Sequence, residues 1–162
     1  MVELFHMSET RYGPGDTIKG NGRDKVDEVI EAAFAAARPQ NSLCRRKAVY
    51  CRAVTDFSMC GVDRGYIYKV ASKTKPEVHD LSWLKDLELA LIKQMYIEKY
   101  PVRISDYPDL TDDLLTRCAN GYWSGKNTDD VTLEYLVPEA TIVEVLSDVI
   151  VEAAATVDGW RP

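Results

Sequence analysis

The run from Asp130 to Leu146, DVTLEYLVPEATIVEVL, leaves this chain few folds to choose from. Val131, Leu133, Tyr135 and Val137 alternate with Thr132, Glu134 and Leu136, the period of a strand with two distinct faces. Pro138 interrupts the ladder, and Thr141, Ile142, Val143 and Val145 begin a second β-branched run. Two adjacent strands this rich in branched residues call for a sheet. Glu134 is the exception within it. Strand interiors are poor in Glu, so this one faces solvent, pairs with a cation or lines a cleft, and Leu133 and Tyr135 are expected on the packed face.

The rest of the chain supplies helices and further strands. Val2 to His6 reads as a first strand, followed by a turn-rich segment containing Gly13, Pro14, Gly15, Gly20 and Gly22. That segment is neither a G-x-G-x-x-G opening a helix nor a Walker loop, so the usual dinucleotide and phosphate fingerprints are absent. Asp24 to Ala37 is the clearest helix: Asp24 is a cap, acids crowd the first turns, and Val26, Val29, Ile30, Ala33, Phe34 and Ala37 recur at helical spacing. Arg45, Arg46 and Lys47 read as a solvated basic loop, or else a phosphate contact, before the β-type run AVYCRAV that carries Tyr50.

Arg64 to Ala71 alternates as a strand, and Lys75 to Glu77 marks a turn. Ser82 is placed to cap a helix running from Trp83 to Tyr100, which Pro101 stops. A short helix ends near Ala119, and NGYWSGKNTDD reads as a loop whose Tyr122 and Trp123 pack and border a cleft. His79-Asp80 reads as a turn pair, and Asp158 to Pro162 as a loose tail. Helices lie between strands through connections too irregular for a doubly wound sheet. The expected class is therefore α+β, with a mainly antiparallel, split sheet and flanking helices, in one domain over residues 1–162.

Composition narrows the function classes. A net charge of −6 argues against a protein that coats nucleic acid through a basic surface. There is no apolar run near the length of a membrane span and no signal-peptide order at the N-terminus, so a cytoplasmic location away from membrane is expected. Cys44, Cys51, Cys60 and Cys118 include no C-x-x-C, and His6 and His79 lie far apart, so metal binding has little support. Reduced, mostly buried thiols are expected.

The ordered set of segments resembles the ADP-ribosyltransferases of the His-Tyr-Glu type, the small rifamycin-type enzymes in particular. LFHMSETRYGPGDTIKG is similar to the opening of that family, RRKAVYCRAV to its second signature strand, and GYIYKVASKTKPEVHDLSWL to the section that follows. LEYLVP is similar to the strand that bears the catalytic acid. The resemblance implies NAD+ as co-substrate, with release of nicotinamide. It implies that His6 holds the adenosine ribose, with Ser8 nearby, that Tyr50 stacks on nicotinamide, and that Glu134 holds the nicotinamide ribose 2′-hydroxyl. Thr132 stands where arginine-modifying toxins carry an acid, and the rifamycin-modifying enzymes usually have Asp where Glu134 stands. The acceptor is therefore left open among protein, small molecule and nucleic acid. The alternative expectation is a catalytically inactive module of the same fold that binds NAD+ or another nucleotide, or a protein partner. A structural protein with no ligand is the third.

Overall fold

The computed structural model describes residues 2–22, 26–58 and 64–152. Asp24, Cys60 and the segment from Asp158 to Pro162 lie outside them. In chain order the elements are β1 (Leu4–Ser8), β2 (Thr17–Lys19), α1 (Glu28–Ala37), β3 (Val49–Cys51), β4 (Arg64–Ala71), β5 (Glu77–Asp80), α2 (Lys85–Tyr96), α3 (Pro101–Ile104), α4 (Asp112–Trp123), β6 (Leu133–Val137), β7 (Glu139–Val145) and β8 (Val151–Glu152). Short 3-10 turns at Arg45–Lys47 and Leu81–Leu84 precede β3 and α2.

Among the described residues the strands form two antiparallel sheets. One runs β1-β4-β7-β2, with β8 also pairing β4, and the other runs β3-β6-β5. The sheets meet where β1 passes β3: Phe5 and Arg52 exchange both backbone hydrogen bonds at 2.8 Å. Beyond that single bridge the strands part, which produces the split expected from the irregular connections. The antiparallel α+β class therefore stands. Among the described residues no helix is long and apolar enough to cross a membrane.

Pro138 does what a proline in a ladder must. It ends β6, and the chain resumes as β7 in the other sheet, with β6 pairing β3 and β5 while β7 pairs β4 and β2. Packing divides accordingly. Leu4, Ile18, Tyr68, Val70, Val137 and Ile142 join one apolar cluster between the sheets. Ile30, Phe34, Leu87, Leu115, Tyr122 and Trp123 join a second cluster among α1, α2 and α4. Strand β6 is packed on both sides. Tyr135 does lie against the inter-sheet cluster, but Glu134 and Leu136 on the opposite face are the more deeply buried, at 3% and 0% exposure. Tyr135 packs as expected, with Val137 of the same face fully buried, and Glu134, for which solvent, a cation or a cleft were the alternatives, is buried on the other face.

Several boundaries also shift. Asp27 caps α1, its carboxylate accepting from Val29 N at 2.9 Å. Val29 is exposed and Glu31 buried, so the helix turns an acid inward. Ser82 is not the cap of α2. Asp80 caps the preceding 3-10 turn through Ser82 N, α2 ends at Tyr96, and Pro101 opens α3 instead of merely closing a helix. The NGYWSG segment is not a loop up to Trp123: Gly121, Tyr122 and Trp123 form the last turn of α4, because Tyr122 and Trp123 complete its apolar face.

Gly20 fixes how the glycine-rich segment seats. A Cβ there would lie 2.2 Å from the Lys47 carbonyl carbon and 2.7 Å from Ala48 N, both backbone atoms. Gly22 N adds a 2.9 Å bond to Arg46 O. The segment is thus held against the Arg45–Lys47 turn by a contact that no side chain fits. Gly20→Ala is expected to lower stability by about 1–3 kcal/mol, measured by urea unfolding.

Candidate functional site

The split between β1 and β3 opens into a cleft of about 490 Å³, a volume in the range of small-molecule sites. His6, Ser8, Tyr50 and Glu134 all line it. They arrive from β1, β3 and β6. The sequence-predicted residues are therefore brought together.

His6 spans the split. Its Nδ1 lies 2.8 Å from the Tyr50 carbonyl oxygen, which only accepts, so Nδ1 carries a proton, and in the neutral tautomer Nε2 is the acceptor. The Tyr50 hydroxyl donates to Arg45 O at 3.0 Å, which holds the ring in place. Burial raises the Tyr50 hydroxyl above its usual pKa despite the Arg45 charge beside it, so it stays protonated.

Glu134 is held from behind. Its Oε1 accepts from Arg45 Nη1 at 2.7 Å and from the Tyr122 hydroxyl. Among the described residues no hydrogen bond is made to its Oε2. One carboxylate oxygen is thus anchored while the residue lines the cleft. Arg45 lies at the centre of this cluster. Its Nε is 3.4 Å from Glu31 Oε1, its Nη1 donates to Tyr122 Oη at 2.6 Å, and its guanidinium stands 5.1 Å from the Tyr50 ring centroid and 4.8 Å from that of Tyr122. Burial works to lower the Arg45 pKa, yet the nearby Glu134, Tyr122, Tyr50 and Glu31 raise it well above its ordinary value, so the cation persists. The solvated reading of the basic cluster therefore fails at Arg45 alone. Arg46 and Lys47 are exposed, and Arg45, at 4% exposure, is the counter-ion of the buried acids.

A second layer supports the first. The His79 ring stacks on Tyr122 at 4.5 Å between centroids and 16° between planes, and its Nδ1 contacts Tyr122 O at 3.2 Å. Asp80 Oδ1 accepts from Ser82 N and Thr132 N at 3.0 Å, and Oδ2 from Thr128 N at 2.6 Å and Thr128 Oγ1 at 2.8 Å. Burial pushes the Asp80 carboxyl up, and these hydrogen bonds outweigh it, holding its pKa below the usual carboxylate value. Asp80 thereby fixes the approach to β6. His79-Asp80 is not a turn pair but the end of β5 and a buried anchor. Tyr122 buttresses Glu134 and is not among the residues bordering the cleft.

Sequence reasoning did not make Arg45 the partner of Glu134, gave Tyr122 to a loop and Asp80 to a turn, and missed Glu31. The one available signal was Glu31, an acid among the apolar positions of α1 next to Ile30. Glu88 of α2 was also missed. It lines the cleft half-buried, and burial pushes its carboxyl up to about 7.

Cys44, Cys51 and Cys118 are free thiols, and burial pushes Cys51 up to about 12, leaving it a protonated packing residue. Among the described residues no group of acids, histidines and cysteines is arranged to hold a metal ion. No family model matches the sequence, and comparison with curated proteins and with solved structures returned no match.

Two outcomes follow for stability. Arg45→Met leaves Glu31 and Glu134 buried without their cation and is expected to cost about 3–5 kcal/mol, measured by chemical denaturation at pH 7. Glu88 has the opposite sign. Its folded pKa of about 7 lies above the unfolded value of about 4.3. Its contribution is therefore fully present below the unfolded value and is lost as pH rises through about 7. Calorimetry should show Glu88→Gln and the wild type melting together near pH 4, and the variant melting higher at pH 8.

Proposed function

We propose that this chain is an NAD+-dependent mono-ADP-ribosyltransferase that moves ADP-ribose to an acceptor and releases nicotinamide. The observation that carries the reading is the convergence of His6, Ser8, Tyr50 and Glu134, drawn from three strands, on one cleft. Breaking the bond between nicotinamide and ribose builds positive charge at the ribose anomeric carbon. A carboxylate already oriented by Arg45 and Tyr122 meets that charge without reorganising. In this reading Glu134 Oε2 accepts the nicotinamide ribose 2′-hydroxyl, while Oε1 stays on its anchors.

His6 Nε2, the acceptor nitrogen once Nδ1 donates to Tyr50 O, suits a hydroxyl of the adenosine ribose. Ser8, at the end of the same strand, adds a second hydroxyl partner. Tyr50 offers a flat ring fixed by its own hydroxyl bond, against which a planar cation stacks favourably. NAD+ is a co-substrate here, and none of these roles asks for a metal.

A second reading draws on Arg45. Its guanidinium neutralises Glu134 at 2.7 Å and already occupies a position 5.1 Å from the Tyr50 ring centroid. A positive charge so placed opposes a cationic nicotinamide ring and suits an anionic nucleotide. This favours a catalytically inactive module that binds NAD+ or a related nucleotide. Glu134→Gln separates the two. For a transferase, nicotinamide release should fall by about 100- to 1000-fold while the thermal shift caused by NAD+ survives. A wild-type protein that shifts with NAD+ yet neither releases nicotinamide nor transfers label to any lysate component is the binding module. Absence of any shift at millimolar NAD+ overturns the transferase, and absence with ATP and ADP-ribose as well overturns the binding module.

A further inference from the structure

The cleft holds one acid that the roles above do not use. Its lining carboxylates are Glu9, Glu88 and Glu134. Glu9 is paired with Arg64 at 2.8 Å, and Glu134 is paired with Arg45. Among the described residues the Glu88 carboxylate makes no hydrogen bond and no ion pair. It comes from α2, between the buried Leu87 and Leu89, and shares the cleft wall with Leu81 and Phe57. A half-buried carboxylate with no partner is an unfavourable arrangement for stability alone.

The strands do not supply a second acid of their own. The position two before Glu134 is Thr132, whose N–H is committed to Asp80. The charged or titratable groups sharing the cleft with Glu88 are His6, Glu9, Tyr12, Lys19, Arg45, Tyr50, Cys51, Arg52 and Glu134. Glu88 titrates near 7, raised by burial, so close to neutral pH it both accepts and returns a proton.

We propose that Glu88 is the general base of the transfer step, which makes the acceptor a proton-bearing nucleophile, a hydroxyl or an amine. This rests on the transferase reading of the same cleft. For a hydroxyl, the bond between ribose C1′ and the nicotinamide nitrogen breaks and its electron pair leaves with neutral nicotinamide. The acceptor oxygen bonds to C1′, and its proton passes to the Glu88 carboxylate. Charge balances: the pyridinium cation and the carboxylate anion both become neutral. An acceptor that is already an anion, such as a carboxylate or phosphate, has no proton for Glu88 to take.

The test compares wild type, Glu88→Gln and Glu134→Gln with NAD+ and three defined nucleophiles: water, methanol and azide. Azide attacks C1′ as an anion and needs no base. With Glu88→Gln, nicotinamide release to water and methanol should fall by about 100- to 10,000-fold, and azide should restore it, yielding ADP-ribosyl azide. The wild-type kcat/KM for methanol should rise with pH through about 7, and the Glu88→Gln profile should lose that limb. Glu88→Asp, which keeps a shorter carboxylate, should retain the limb at a reduced rate and covers the case of a Gln variant that does not fold. Unchanged methanol and water rates in Glu88→Gln, or equal losses with azide, overturn the role of Glu88 while Glu134 dependence leaves the transferase reading intact. A wild type that releases no nicotinamide removes the reaction and this role together.

Discussion

Arg45 lies where α1, the turn before β3, the end of α4 and β6 come together. Two buried carboxylates, Glu31 and Glu134, and the Tyr122 hydroxyl all contact its guanidinium. A carboxylate in a packed interior is strongly disfavoured unless a cation and hydrogen bonds replace its water. None of the three charges is therefore tolerable alone, and the helical and sheet halves are committed to one another through them. The same arrangement aims Glu134. Both of its bonds fall on Oε1, so the residue is rigid on one side while it lines the cleft.

The cleft itself follows from the way the two sheets are joined. A single two-bond bridge between Phe5 and Arg52 ties β1 to β3, and the His6 contact with Tyr50 O adds a side-chain tie across the same gap. Past those ties neighbouring strands no longer pair. Gly20 closes one side by bringing the glycine-rich segment onto the Lys47 backbone, and α2 contributes Glu88. Stability and site geometry thus share the same residues. Asp80 illustrates this: its four hydrogen bonds organise the 3-10 turn before α2 and the entry to β6 together.

The helix and strand periods, the break at Pro138 and the antiparallel character were legible because they depend on neighbours in sequence. The grouping of His6, Ser8, Tyr50 and Glu134 was legible only through a resemblance of ordered segments, and the structure brings those residues to one cleft. Arg45 was read as a solvated basic residue because its flanking Arg46 and Lys47 are so, and a charge run carries no mark of which member turns inward. Tyr122 was read as a loop residue because glycines on both sides of YW look like turn punctuation. Gly121 instead lies inside the last turn of α4, where an added Cβ would come within 2.5 Å of the Trp83 ring.

By itself the sequence determined that Asp130 to Leu146 makes two strands broken at Pro138, and that Glu134 is anomalous in the first of them. It also limited Glu134 to solvent, a cation or a cleft. Only the tertiary structure decided that the cation and the cleft both hold, and that the cation is Arg45, 89 residues earlier in the chain. It likewise showed that both faces of β6 are buried, with Glu134 at 3% and Leu136 at 0% exposure on one and Val137 at 0% on the other. The physical reason is range. Alternation and breaking are properties of a few adjacent residues, whereas the partner of a buried charge is selected by desolvation, which acts only once distant segments have excluded water from the same volume.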